Sequence, residues 1–125
     1  MQPLSRQDQI WNRAALELGG ENPREGDKAI ASLLLLHGMA MNGGIDHAVD
    51  VLSPLEFSAA LSGFRYFGLI RVAELLEGIG ESVTEAQAEK LHKEYGVAVP
   101  SDGTLVHAFR LKLLASPEAF APVET

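Results

Sequence analysis

The sequence predicts an all-α fold: an irregular bundle of six or seven helices forming a single domain over residues 1–125. Three observations carry this. Hydrophobic residues make up 46% of the chain but aromatics only 6%, so the apolar mass is Leu, Ala, Val and Ile. Those side chains favour helices packed on helices over a sheet core. Apolar residues also recur at three- and four-residue intervals in segment after segment, the period of a helix with one buried face. Finally, helix-opening and helix-closing residues punctuate the chain at short distances, with no repeat and no long linker. A chain of 125 residues buries a core without disulfide staples.

The first helix opens at Ser5, whose hydroxyl pairs in an S-x-x-D pattern with Asp8. Ile10, Ala14 and Leu18 form its inner stripe beside Trp11 and Ala15, and Gly19-Gly20 closes it. A second helix is expected from Asp27 to Met41. Ala29, Ile30, Leu33, Leu34 and Leu36 make it apolar on more than one side, which marks it as central. Asn42-Gly43-Gly44 stops it, and Ile45 to Leu52 forms a short helix of two turns. Ser53-Pro54-Leu55-Glu56 is a strong start: a capping hydroxyl, a proline with no N–H to waste, and a glutamate three residues on. The helix it opens runs towards Gly68. Leu69 to Leu76 is another, with Gly78 and Gly80 breaking it. Thr84-Glu85-Ala86-Gln87 opens a polar helix that ends at Tyr95 and Gly96, and Val97 to Val99 reads as extended before Pro100. The last helix spans Thr104 to Ala115. Ser116-Pro117 caps a terminal turn, and the chain frays beyond Pro122.

Charge narrows the function. Seventeen acidic and ten basic side chains leave a net charge of −7, which disfavours direct contact with nucleic-acid phosphates or an anionic membrane. The absence of cysteine excludes disulfides and thiolate sites. Met1 to Trp11 is polar, without the apolar stretch of a signal peptide, and Leu33 to Leu36 is too short to span a bilayer, so a cytoplasmic location is expected. Of the four histidines, His37, His47, His92 and His107, none stands in a strong ligand spacing. His47 and Asp50 share a helical face but supply too few ligands, so neither a metal nor another cofactor is expected. No serine lies in a nucleophile elbow, and Gly43-Gly44 lacks the lysine and preceding strand of a phosphate loop. Asn42, Gly43 and Gly44 are read as a structural motif, with the asparagine side chain capping backbone groups and one glycine at positive φ.

The acids are unevenly spread. Glu74, Glu77, Glu81, Glu85, Glu89 and Glu94 face only Lys90 and Lys93, so this segment nets −4 of the chain's −7. A solvated helix face is the plain interpretation. The sharper one makes Glu74, Glu77, Glu81, Glu85 and Glu89 a negative patch that attracts a basic partner protein.

Met41-Asn42-Gly43-Gly44-Ile45-Asp46-His47 resembles the NGG-aromatic signature of the DNA-mimic-protein-like family of small bacterial helical domains. Glu56 to Leu61 and Tyr66 to Leu76 resemble the Ala- and Leu-rich segment that follows the signature in that family. The match covers roughly Leu33 to Glu77, with Ile45 where an aromatic is usual and His47 where Gln is common. The resemblance implies an all-helical fold, a homodimer, no catalysis, and an acidic surface that occupies the DNA-binding face of a protein.

The leading expectation is therefore a non-enzymatic protein-binding module with an acidic face. An immunity protein that neutralises a basic toxin is the alternative within that class. A small-ligand domain or enzyme with a pocket near Asn42, His47 and Asp50 is a second class, and a structural oligomerisation domain a third. If the acids prove scattered, Phe57, Phe64, Tyr66 and Phe67 become the residues of an apolar partner surface.

Overall fold

A computed structural model describes residues 4–79 and 83–123. They form six α-helices: α1 (Arg6–Glu17), α2 (Glu25–Val51), α3 (Pro54–Tyr66), α4 (Ile70–Glu77), α5 (Glu85–Ala98) and α6 (Asp102–Ala115), with one 3-10 turn at Pro117–Ala119. No strand occurs among the described residues, so the all-α expectation holds.

Local chemistry sets most of the helix starts. The Ser5 hydroxyl accepts the Asp8 backbone N–H. Ser53 and Glu56 exchange side-chain to backbone bonds, as do Thr84 and Gln87, so each pair satisfies two otherwise orphaned donors. The first stop differs in detail from expectation. Leu18, not a glycine, takes the left-handed position at φ 52°, ahead of Gly19 and Gly20. That conformation costs a non-glycine residue about 1–2 kcal/mol.

The expected break after Asn42-Gly43 is present: a long helix and a short one meet at a kink at Gly44 and are labelled together as α2. α2 runs from Glu25 to Val51 and is interrupted only at Gly44, with φ 88° and ψ 173°. Its buried residues include Ile30, Leu33, Leu36, Ala40, Ile45 and Ala48, so it threads the core from end to end. α3 packs closely on it through Gly63, where an added Cβ would lie 2.5 Å from the Ala29 carbonyl oxygen. α4 turns Val72, Ala73 and Leu76 inward.

Two other boundaries move. α5 does not stop at Gly96 but runs to Ala98, with the Val99 N–H bonded to the Tyr95 carbonyl. Tyr95 and Val99 are both buried, and their packing outweighs the helix cost of one exposed glycine, about 1 kcal/mol. α6 begins at Asp102, two residues before the expected start, and buries Leu105, Phe109 and Leu113.

The segment after α6 is tied down up to the last described residues. Phe120 is fully buried and meets Phe109 edge-on at 5.5 Å, and Phe109 also stacks near Trp11 and Phe67. Arg13 of α1 donates to the carbonyls of Ala121 and Pro122, and Arg24 donates to that of Glu118. The buried carboxylate of Asp27 accepts from Arg13 Nη2 at 2.7 Å, from the Arg24 N–H at 3.0 Å and from the Ala121 N–H at 2.7 Å. The chain is thus held as far as Pro122, and the fraying expected beyond it falls mainly on residues 124–125, outside the described residues. Replacing Asp27 with Ala leaves the Arg13 charge and two N–H groups without their acceptor. Urea unfolding should show a loss of about 3–5 kcal/mol, the cost of breaking a buried ion pair from one side.

Candidate functional site

The NGG segment lies at the kink of α2. Gly44 has the positive φ, and Gly43 lies against His47, whose ring carbon would be 2.6 Å from an added Cβ. The Asn42 side chain is exposed and makes no hydrogen bond among the described residues, so the expected capping of the helix end at this kink is done by the backbone turn at Gly44 alone. Asn42 lines a cleft of about 420 Å³ between α1 and α2. Neither His47 nor Asp50 lines that cleft, so the pocket expected near Asn42, His47 and Asp50 does not form from those three residues. No group of three or more His, Asp or Glu side chains that could hold a metal occurs among the described residues.

The polar group beside Asn42 comes from elsewhere. His37, in the apolar middle of α2, is 7% exposed and bridges two other helices. Its Nε2 is 2.8 Å from a carboxylate oxygen of Asp102 at the start of α6, and its Nδ1 is 2.8 Å from the Tyr95 hydroxyl on α5. A carboxylate only accepts, so Nε2 carries a proton and donates to Asp102, while Nδ1 shares the second hydrogen bond with the Tyr95 hydroxyl. Burial, and secondarily the Asp102 charge, holds the Tyr95 phenol well above its usual range. Tyr95 is 1% exposed, so its oxygen does not reach solvent. The three groups brace α2, α5 and α6, and only the outer one, Asp102, presents itself to solvent. Partners 58 and 65 positions apart leave no local spacing to read. The one signal is a histidine inside the run Leu33 to Gly38, where a polar ring needs partners.

The acidic residues are exposed but not gathered on one face. Glu74 and Glu77 lie on α4, Glu85 and Glu89 on α5; Glu81 lies outside the described residues. Glu77 is paired with Arg65 of α3. Glu74 lines a cleft between α4 and α5 together with Gln87, Lys90, Leu91 and Glu94, and Lys90 and Glu94 pair at 3.9 Å. Glu85 and Glu89 do not line it. Nine residues are two and a half helical turns, so Glu85 and Glu94 occupy opposite flanks of α5. Glu85 and Glu89 form no ion pair among the described residues. The apolar alternative changes as well. Phe64 and Phe67 are buried in the core, and the exposed large apolar side chains are instead Leu16, Leu18, Leu55, Leu114 and others.

Comparison of the chain with protein-family profiles, with curated proteins and with solved structures finds no match. No helix among the described residues is long and apolar enough to cross a membrane.

The polar brace has a measurable signature. Tyr95 and Tyr66 both have raised phenol pKa values, Tyr66 chiefly by partial burial and then by Glu25, Glu118 and Asp27. Above the ordinary value of 10.0 the unfolded chain releases these protons while the folded chain keeps them. Stability therefore falls as pH rises past that point, by about 1.4 kcal/mol per pH unit for each fully retained proton. Tyr95→Phe should be less stable at pH 7 by about 1–3 kcal/mol, because His37 loses a buried partner. Above pH 10 its stability should decline less steeply than that of the parent. Urea titrations at a series of pH values check both, and parallel declines would contradict the assignment.

Proposed function

We propose that this chain is a non-enzymatic protein-binding module whose exposed carboxylates attract a basic partner. The observation that carries this reading is the state of Glu85 and Glu89. They stand one turn apart on α5, exposed, with no cation paired to them among the described residues, in a chain of net charge −7. Glu74 on α4 stands apart from this pair, in the cleft with Lys90 and Glu94. Exposed charges of this kind add little to folding stability. They do steer an oppositely charged surface into encounter.

Two partners share the required chemistry: the nucleic-acid-binding face of a protein, and a basic toxin. The resemblance of Met41 to His47 and of Tyr66 to Leu76 to the DNA-mimic-protein-like family favours the first. A homodimer is part of the same proposal. The partner is to be captured on the immobilised chain from the native host and its association rate measured against salt. Association should slow as ionic strength passes about 0.1 M, where the Debye length falls to about 10 Å. Glu85→Lys with Glu89→Lys should slow it further while leaving the melting temperature within a degree or two, since neither side chain is buried. Displacement of the captured partner by duplex DNA identifies a mimic. Association indifferent to both salt and charge reversal would refute the reading.

A further inference from the structure

One feature of the α1–α2 cleft is unfavourable for folding and answered by nothing inside the chain. It is Gly38, inside the helical stretch of α2 that runs from Glu25 to the break at Gly44. A glycine there weakens the helix, and an added Cβ would meet no atom within 4 Å. Leu18 closes α1 at the far end, where its left-handed conformation belongs to the hydrogen-bonded helix cap and its side chain is 67% exposed. Both line the same cleft, with Trp11, Ala15, Leu34 and Leu35 between them. Small residues on the facing helices keep the floor shallow, so a third helix can approach closely. From Ala31 to Asn42 the cleft follows α2 for about 16 Å, the length of three helical turns.

Charge selects the occupant. Asp102 is the acidic residue of the cleft, and no Lys or Arg lines it. Its bond to His37 uses one oxygen, and its side chain is 78% exposed. A cation beside His37, partway along the groove, reaches the second oxygen of this exposed carboxylate. The larger cleft of about 850 Å³ beside α6 offers the opposite chemistry, Lys112 and His107.

We propose that the α1–α2 cleft is the docking groove for an amphipathic, basic helix of the partner, seated over Gly38 with a Lys or Arg at Asp102. This rests on the proposed basic partner and says where it docks. Helix-in-groove recognition of this kind sets apolar anchors at three- and four-residue spacing into the cleft.

The lone tryptophan, Trp11, lies in the groove and reports on it directly. The probes are an 18-residue amphipathic helical peptide of Leu and Lys, lacking Trp, and its Leu–Glu counterpart. The Leu–Lys peptide should shift Trp11 emission saturably, and the Leu–Glu peptide should not. Gly38→Leu fills the open space with a better helix former, so the fold is kept and affinity should fall about tenfold or more. Asp102→Asn should weaken binding and reduce its salt dependence. An unchanged Trp11 signal, equal binding by Gly38→Leu, or equal binding of the Leu–Glu peptide overturns the proposal. So does a dimer of the parent chain in sedimentation that Gly38→Leu abolishes, because the occupant is then a second copy. If the captured partner ignores Gly38→Leu but is lost with Glu85→Lys and Glu89→Lys, the groove assignment fails and the basic-partner reading stands.

Discussion

A carboxylate with no access to water sits where α1, the start of α2 and the segment after α6 meet. Asp27 is 0% exposed. Burying a charge costs several kcal/mol unless it is paired and hydrogen-bonded. Here one oxygen takes the Arg13 guanidinium and the other takes two backbone N–H groups, from Arg24 and Ala121. The arrangement then propagates. Arg13, held by Asp27, also donates from its two Nη atoms to the Ala121 and Pro122 carbonyls, while its Nε is buried without a partner. Phe120 is thereby set against Gly26, where even a methyl group would come within 2.7 Å of its ring. The aromatic cluster of Trp11, Phe67, Phe109 and Phe120 closes over the same junction.

A second polar junction, His37 with Tyr95 and Asp102, fastens α2 to α5 and α6 further along the same long helix. The proposed docking groove lies between these two fixed points. Its walls, α1 and α2, are joined through Arg13 and Asp27, and its polar part is set by His37. A groove built this way needs little ordering when a partner arrives, which lowers the cost of binding. The acids of α5 stand outside it, and in the proposed function they act at a distance, through encounter rather than contact.

What the sequence discloses of this design follows the range of each interaction. The caps at Ser5, Ser53 and Thr84 are legible because donor and acceptor lie three residues apart. The break at Gly44 is legible because glycine is the residue that takes φ 88° without penalty. The helix past Gly96 is not, since it depends on Tyr95 and Val99 finding the core. Asp27 looks like one more acid at a helix start until Ala121, 94 positions away, is brought to it. The site divides likewise. Exposure of Glu74, Glu77, Glu85 and Glu89 follows from their charge. Their separation onto different flanks follows from how burial of Tyr95 orients α5, which no local pattern records. His37 and Asp102 become a pair only once α2 and α6 cross.

Hydrogen exchange at the Ala121 amide tests the Asp27 junction most directly. Ala121 lies beyond every helix, one residue before the point after which the sequence predicts fraying. If its N–H is held by the buried carboxylate, it should exchange only through global unfolding, with the same protection as the core amides of Ile30 and Phe109. Exchange at the rate of an exposed, unbonded amide, with the core still protected, would contradict the account.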